Sequence, residues 1–140
     1  MENDLHSFVK IVPAVPPAVF TATVTGTTID TLGFESLEYA FHIGTALTGA
    51  GAIIDVTLEQ APDVAGSPGA WAAVPAAEIL GTLPQMIEAD ANKCFRVGSI
   101  GKERFQRCVM TETVAVTGGV VGAVGILSNP KSAPVAAQFT

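Results

Sequence analysis

The segment from Glu35 to Ile43 puts Leu37, Tyr39, Phe41 and Ile43 on one side of an extended chain and Glu38, Ala40 and His42 on the other. A period of two is the spacing of a half-buried β-strand and does not match a helical stripe. Ile54, Val56 and Leu58 repeat the pattern against Asp55, Thr57 and Glu59. Between and beyond these segments the chain is heavily punctuated, with 14 glycines and 9 prolines in 140 residues. From Ala61 to Pro84, the residues Pro62, Gly66, Pro68, Gly69, Pro75 and Pro84 leave no room for a long helix. Many short strands joined by turns are what such a chain can build.

The rest of the chain fits that frame. Leu5 to Val12 reads as an extended strand or arm, and Pro13, Pro16 and Pro17 keep the path after it extended. Residues 1–17 are therefore expected to form an N-terminal extended arm, and residues 18–140 a single β-sandwich domain. Val19 to Thr25 alternates as a strand, Trp71 to Val74 as a short one, and Pro75 to Leu80 as one helical turn closed by Gly81. Cys94 to Ile100 and Lys102 to Thr111 read as a hairpin about Gly101, with the second arm bending on through Val114 and Val116. Thr113 to Pro130 carries no charge, but Thr117-Gly118-Gly119 interrupts it, so two buried strands about a Gly-Gly turn fit better than a membrane span. Val120 to Leu127 is the last strand, ended by Ser128-Asn129-Pro130. About seven to nine short strands at this spacing predict an all-β fold, a jelly-roll or Greek-key β-sandwich. Its expected core is Leu37, Tyr39, Phe41, Ile43, Ile54, Val56, Leu58, Phe95, Val97 and Phe105.

Charge limits the partners. Charged residues make up 14% of the chain, against a usual ~25%, which excludes a disordered acidic chain, a coiled coil and a solvated helical bundle. A net charge of −6 argues against direct binding of nucleic acid. The charge is uneven: residues 1–92 hold one lysine and eleven carboxylates, residues 93–140 six basic and two acidic side chains. Arg96, Lys102, Arg104 and Arg107, with Lys93, fall on the expected hairpin and are the candidate contact residues for an acidic partner surface or a second copy. The alternative is that they pair internally with the acidic first half.

No constellation supports catalysis, and neither a cofactor nor a metal is expected. His6 and His42 are the only histidines, and no Cys or His group has zinc spacing. Gly49-Ala50-Gly51 lacks the third glycine of a dinucleotide loop, and the glycines from Gly118 to Gly125 lead to no Lys-Ser/Thr. Glu35 and Glu38, three apart, fall on opposite faces of a strand and cannot act as a pair. Asp55 and Glu59 share a face and read as an exposed acidic stripe rather than a calcium site. Met1-Glu2-Asn3-Asp4 is acidic where a secretory leader is basic, so a reducing compartment and two free thiols, Cys94 and Cys108, are expected.

Three segments carry a resemblance: Gly33 to Tyr39 with His42-Ile43-Gly44, Phe95 to Phe105, and Leu127-Ser128-Asn129-Pro130. Across roughly residues 30–135 the chain resembles the capsid cement, or decoration, proteins of tailed bacteriophages, those of Bordetella podophages in particular. The resemblance implies a jelly-roll homodimer on the outer surface of a virion, assembled in the host cytoplasm. Its partner would be the major capsid protein of an HK97-type shell, whose capsomer contacts it would stabilise. It transfers no site residue. The alternatives are a phage tail-tube or head-completion subunit, or a carbohydrate-binding jelly-roll module, although one Trp and one Tyr offer little aromatic platform.

Overall fold

The two segments with the cleanest alternation become interior strands of two different sheets. A computed structural model describes residues 4–135; residues 1–3 of the expected arm and 136–140 of the expected domain lie outside it. In chain order the strands are β1 (Lys10–Val19), β2 (Val24–Thr25), β3 (Ile29–Asp30), β4 (Phe34–Ile43), β5 (Ile53–Ala61), β6 (Asp63–Val64), β7 (Ser67–Pro68), β8 (Ala72–Ala73), β9 (Ile79–Leu80), β10 (Gln85–Ile87), β11 (Cys94–Ser99), β12 (Phe105–Val114) and β13 (Val120–Pro130). A front sheet has the order β1-β13-β4-β11-β9, and a back sheet β10-β5-β12-β2 with β3 and β8 alongside. The pairings between successive neighbours are antiparallel. With β2 and β3 counted as one interrupted strand, and the two-residue β6 to β9 set aside, eight strands run 1-8-3-6 in front and 5-4-7-2 behind. That is the order of a jelly roll, the expected all-β class.

The core lies between the sheets. Leu37, Tyr39, Phe41 and Ile43 of β4 face Ile54, Val56 and Leu58 of β5, all buried, joined by Val97, Met110, Val121 and Leu127. Phe105 is buried as expected, while Phe95 is half-buried and packs against the cluster from its margin. The single turn after Pro75 is a 3-10 turn, Ala76–Glu78, and β9 follows it.

Three local expectations fail, each because a strand finds its partner far away in sequence. The hairpin about Gly101 does not form: β11 pairs with β4 and β12 with β5, so residues 100–104 cross from one sheet to the other. A buried polar knot holds this crossing. Ser99 Oγ donates to Gln106 Oε1 at 2.6 Å, and Gln106 Nε2 donates to the Gly101 carbonyl at 3.2 Å. A Cβ at Gly101 would start 2.5 Å from Gln60 Oε1, the end of a side chain that would have to shift to admit it. Likewise β12 and β13 belong to opposite sheets, and Gly118-Gly119 marks another crossing rather than a hairpin turn.

The third failure concerns the N-terminus. Residues 10–17 are part of β1, paired with β13 from Lys10↔Leu127 to Val19↔Val120, and Ala14 and Val15 are buried. The sandwich therefore begins at Lys10, before the expected boundary at 17. Prolines are tolerated there because β1 is an edge strand with register shifts at Val15 and Ala18. The chain leaves the sheet at Phe20, whose side chain is buried, so Val19 to Thr25 is not one strand. Thr27 N donates to the Ala14 carbonyl at 2.7 Å and Gly26 N to the Cys108 carbonyl at 2.8 Å, closing the seam between the sheets.

Candidate docking face

The four expected contact residues do not form one patch. Arg104 and Arg107 sit with the back sheet and are committed to the acidic half of the chain. Arg104 donates through Nε and Nη2 to the two oxygens of Asp30 at 2.9 and 2.8 Å, and through Nη1 to Asp63 at 2.8 Å. These bonds hold both carboxyls below the ordinary Asp range and raise the guanidinium further. Arg107 Nε donates to Glu59 at 2.6 Å, and its guanidinium lies 4.1 Å from the centre of the Trp71 ring. Lys102 projects from the crossing segment, 3.9 Å from Glu78, with its side chain 85% exposed. Arg96 projects from the front sheet, 3.8 Å from Glu38 and equally exposed. Internal pairing is the fate of Arg104 and Arg107; Arg96 and Lys102 make only long contacts.

The acidic stripe is likewise absorbed. Asp55 accepts from Gln85 at 2.8 Å and from Thr113, and Glu59 takes Arg107. Together with Thr57, Thr111 and Thr25 these side chains make the middle of the back sheet's outer face largely polar, with Val109 among them and Ile53 and Ile87 at the β10 margin. An antiparallel sheet with one solvated face is built this way.

The front sheet is not. Register places Ile11, Ile126 and Glu38 side by side, then Pro13, Val124, Ala40 and Arg96, then Gly122, His42 and Cys94, then Val19 and Val120, all on the face away from the core. Val19 is 61% exposed, Ile11 56% and Val124 40%. Pro16 and Pro17 rise along one side and Cys94 lies along the other, enclosing a shallow groove of about 540 Å³ floored by Ala40 and Gly122. The face thus exposes apolar side chains, with Glu38, His42 and Arg96 among them, on a sheet whose other side forms the core. Among the described residues no group of three His, Cys, Asp or Glu side chains is placed to hold a metal ion.

The sequence reading took β13 as buried and missed this face. The signal was there. Val120, Val124 and Ile126 interleave with Val121, Ala123 and Leu127, so the strand has no polar side, and one of its two apolar sides had to point outward if the sheet lay on a single core.

The cysteines fall on opposite sides of the architecture. Cys94 is exposed beside the groove and Cys108 is buried between the sheets. Burial pushes the Cys108 thiol up to about 12. The two are free thiols in different environments.

Comparison with known proteins finds no matching family model and no matching curated protein. Solved structures with similar folds include YomS, an SPBc2 prophage-derived protein, at 18% identity over 91% of this chain and 100% of that one, with a TM-score of 0.43. A Bacillus endospore appendage protein from disulfide-linked pili is 12% identical over 93% of this chain and 97% of that one, TM-score 0.38. The VP2 subviral particle of infectious bursal disease virus is 11% identical over 88% of this chain and 32% of that one, TM-score 0.40. At these identities and TM-scores the likenesses say nothing about function.

Proposed function

We propose that the chain is a structural, non-catalytic virion protein that binds the outside of an HK97-type phage capsid, contacts the major capsid protein and stabilises the joints between capsomers. The observation that supports this is the contrast between the two outer faces of the sandwich: a back face rich in Asp, Glu, Thr and Arg side chains, and a front face that exposes Ile11, Val19 and Val124. Fold alone does not give function, and the resemblance of the Gly33–Tyr39, Phe95–Phe105 and Leu127–Pro130 segments to phage cement proteins supplies the setting. A sugar-binding reading is disfavoured because one face of the single Trp, Trp71, is capped by Arg107.

The test is to mix the purified protein with undecorated HK97-type capsids and image the particles by cryo-electron microscopy. Ordered density of this fold outside the shell is the expected result. Rings or tubes formed by the protein alone, with bare capsids, favour the tail-tube alternative and overturn the proposal.

A further inference from the structure

β11 is paired along its whole length on one side only. Toward β4 the register runs from Cys94↔His42 to Ser99↔Leu37, while β9 on the other side meets only Gly98 and Ser99. Ile43 N donates to the Lys93 carbonyl at 3.1 Å, and Ile100 N to the Glu78 carbonyl at 2.9 Å. Hydrogen-bonded pairs alternate along an antiparallel ladder. Phe95, Val97 and Ser99 therefore bond toward β4, and Cys94, Arg96 and Gly98 turn their N–H and C=O groups the other way. Leu80 of β9 stands opposite Gly98, but the chain does not continue past Arg96. Gly81, at a φ of +88°, turns it aside, and Pro84 has reached the back sheet, where its carbonyl accepts from Val56 N at 3.1 Å. Among the described residues no strand pairs with this side of Cys94 and Arg96, both of which are exposed.

The open edge is also basic. The Arg96 side chain is 85% exposed, and its 3.8 Å approach to Glu38 is too long for a hydrogen bond. Lys93, just before the strand, donates to Asp90 at 2.9 Å with its side chain still 57% exposed. Arg104 and Arg107, in contrast, are hydrogen-bonded within the chain. On the inner side of the same edge Phe95 is half-buried, packed against the core from its margin. β9 itself is too short to take a strand; the stretch of β11 that it leaves uncovered, Cys94 to Val97, is what this margin offers.

We infer that this edge takes an extended segment of a partner protein, added as an antiparallel strand beside Cys94 and Arg96, with acidic residues alternating with apolar ones. The main-chain groups of Cys94 and Arg96 give two donors and two acceptors. In this register the segment residue opposite Arg96 shares its outer face, at about 5.5 Å between Cα atoms, where a carboxylate meets the guanidinium. The residues on either side of it point inward toward Phe95, where an apolar side chain is favoured. Main-chain bonds supply affinity and the alternate side chains supply choice. The inference goes beyond the proposed function: it concerns an edge of the front sheet, not its outer face, and does not require a capsid.

The experiment titrates the isotope-labelled full chain with a short capped peptide of alternating Glu and Val and follows its amides by NMR. The Cys94 and Arg96 amides are expected to shift and to gain protection from hydrogen exchange. N-methylation of the peptide at its Glu positions, whose amides face β11, is expected to weaken binding at least ~10-fold; the same change at its Val positions is expected to leave binding in place. R96E, checked for an intact fold by circular dichroism, and a peptide with Lys in place of Glu are each expected to bind at least ~10-fold more weakly. No binding at millimolar peptide, equal effects of N-methylation at Glu and Val, or shifts that map away from β11 overturn the inference. Bare capsids alongside peptide binding overturn the proposed function alone, and decorated capsids without peptide binding overturn this inference alone.

Discussion

Arg104 and Asp30 meet fork to fork, with two parallel hydrogen bonds of 2.9 and 2.8 Å across 74 residues of sequence. The pair ties the start of β12 to β3, and Asp63 takes the remaining arm of the guanidinium. This geometry suits Arg and not Lys.

A pH dependence follows from it. Hydrogen bonds from Arg104 depress the Asp30 carboxyl below its ordinary value of 3.8 in the folded state. A depressed folded value gives stability that is present above the unfolded value and lost as pH falls through the folded one. The melting temperature is expected to drop on acidification below about pH 4, and to drop less steeply in D30N, which has no carboxyl to protonate. Scanning calorimetry at a series of acidic pH values reads this directly; parallel curves for the two proteins contradict it.

Tyr39 and Phe41 stack with centroids 6.2 Å apart in the core. The Tyr39 hydroxyl is buried with no hydrogen-bond partner, and burial raises its pKa further. Removing an unsatisfied hydroxyl relieves a desolvation cost, so Tyr39→Phe is expected to leave stability unchanged or raise it by about 1 kcal/mol. Phe41→Ala leaves a cavity and is expected to cost about 3–5 kcal/mol, a large share of a typical ~5–15 kcal/mol. Urea unfolding of both variants distinguishes the two outcomes.

Cys94 and Cys108 are expected to differ sharply in reactivity. In the native protein a thiol reagent should modify Cys94 quickly and Cys108 at the rate of unfolding, since one is exposed and the other is buried with its thiol raised to about 12. In denaturant without reductant both should react. A count of zero there would sink the assignment of free thiols.

Gly26 sits where the seam of the sandwich closes. A Cβ at this position would lie 2.7 Å from the Cys108 carbonyl oxygen and 2.8 Å from that of Ala14. Both are backbone atoms held in strands, so neither yields easily. Gly26→Ala is expected to cost roughly 1–3 kcal/mol, measured as a shift of the urea midpoint with unchanged slope.

What could be read from residue order is what short-range chemistry decides. The alternation in Glu35–Ile43 and Ile54–Leu58 gave the strands, their inward faces and most of the core, because burial of one face leaves a period of two in the sequence. Which strands lie together was not written locally. Gly101 and Gly118-Gly119 read as hairpin turns, yet each marks a crossing between sheets, because β11 gains more by pairing with β4 and β12 with β5. The same limit hid how the basic residues divide between the two sheets. Arg96, Arg104 and Arg107 looked like one basic hairpin, and the crossing at Gly101 sent Arg96 to the front sheet and the other two to the back. The prolines of β1 looked like an arm because proline chemistry is shared by linkers and edge strands.

Those prolines have a consequence for how the protein grows. β1 is the outer margin of the front sheet, and positions 13, 16 and 17 on it have no amide hydrogen to offer an incoming strand. The other margins are two residues of β9 in the front sheet and, in the back sheet, three of β10 and the two-residue β2 and β3, too short to template another chain. The prolines and the short margins therefore disfavour the addition of another strand along the hydrogen-bonding direction at these edges.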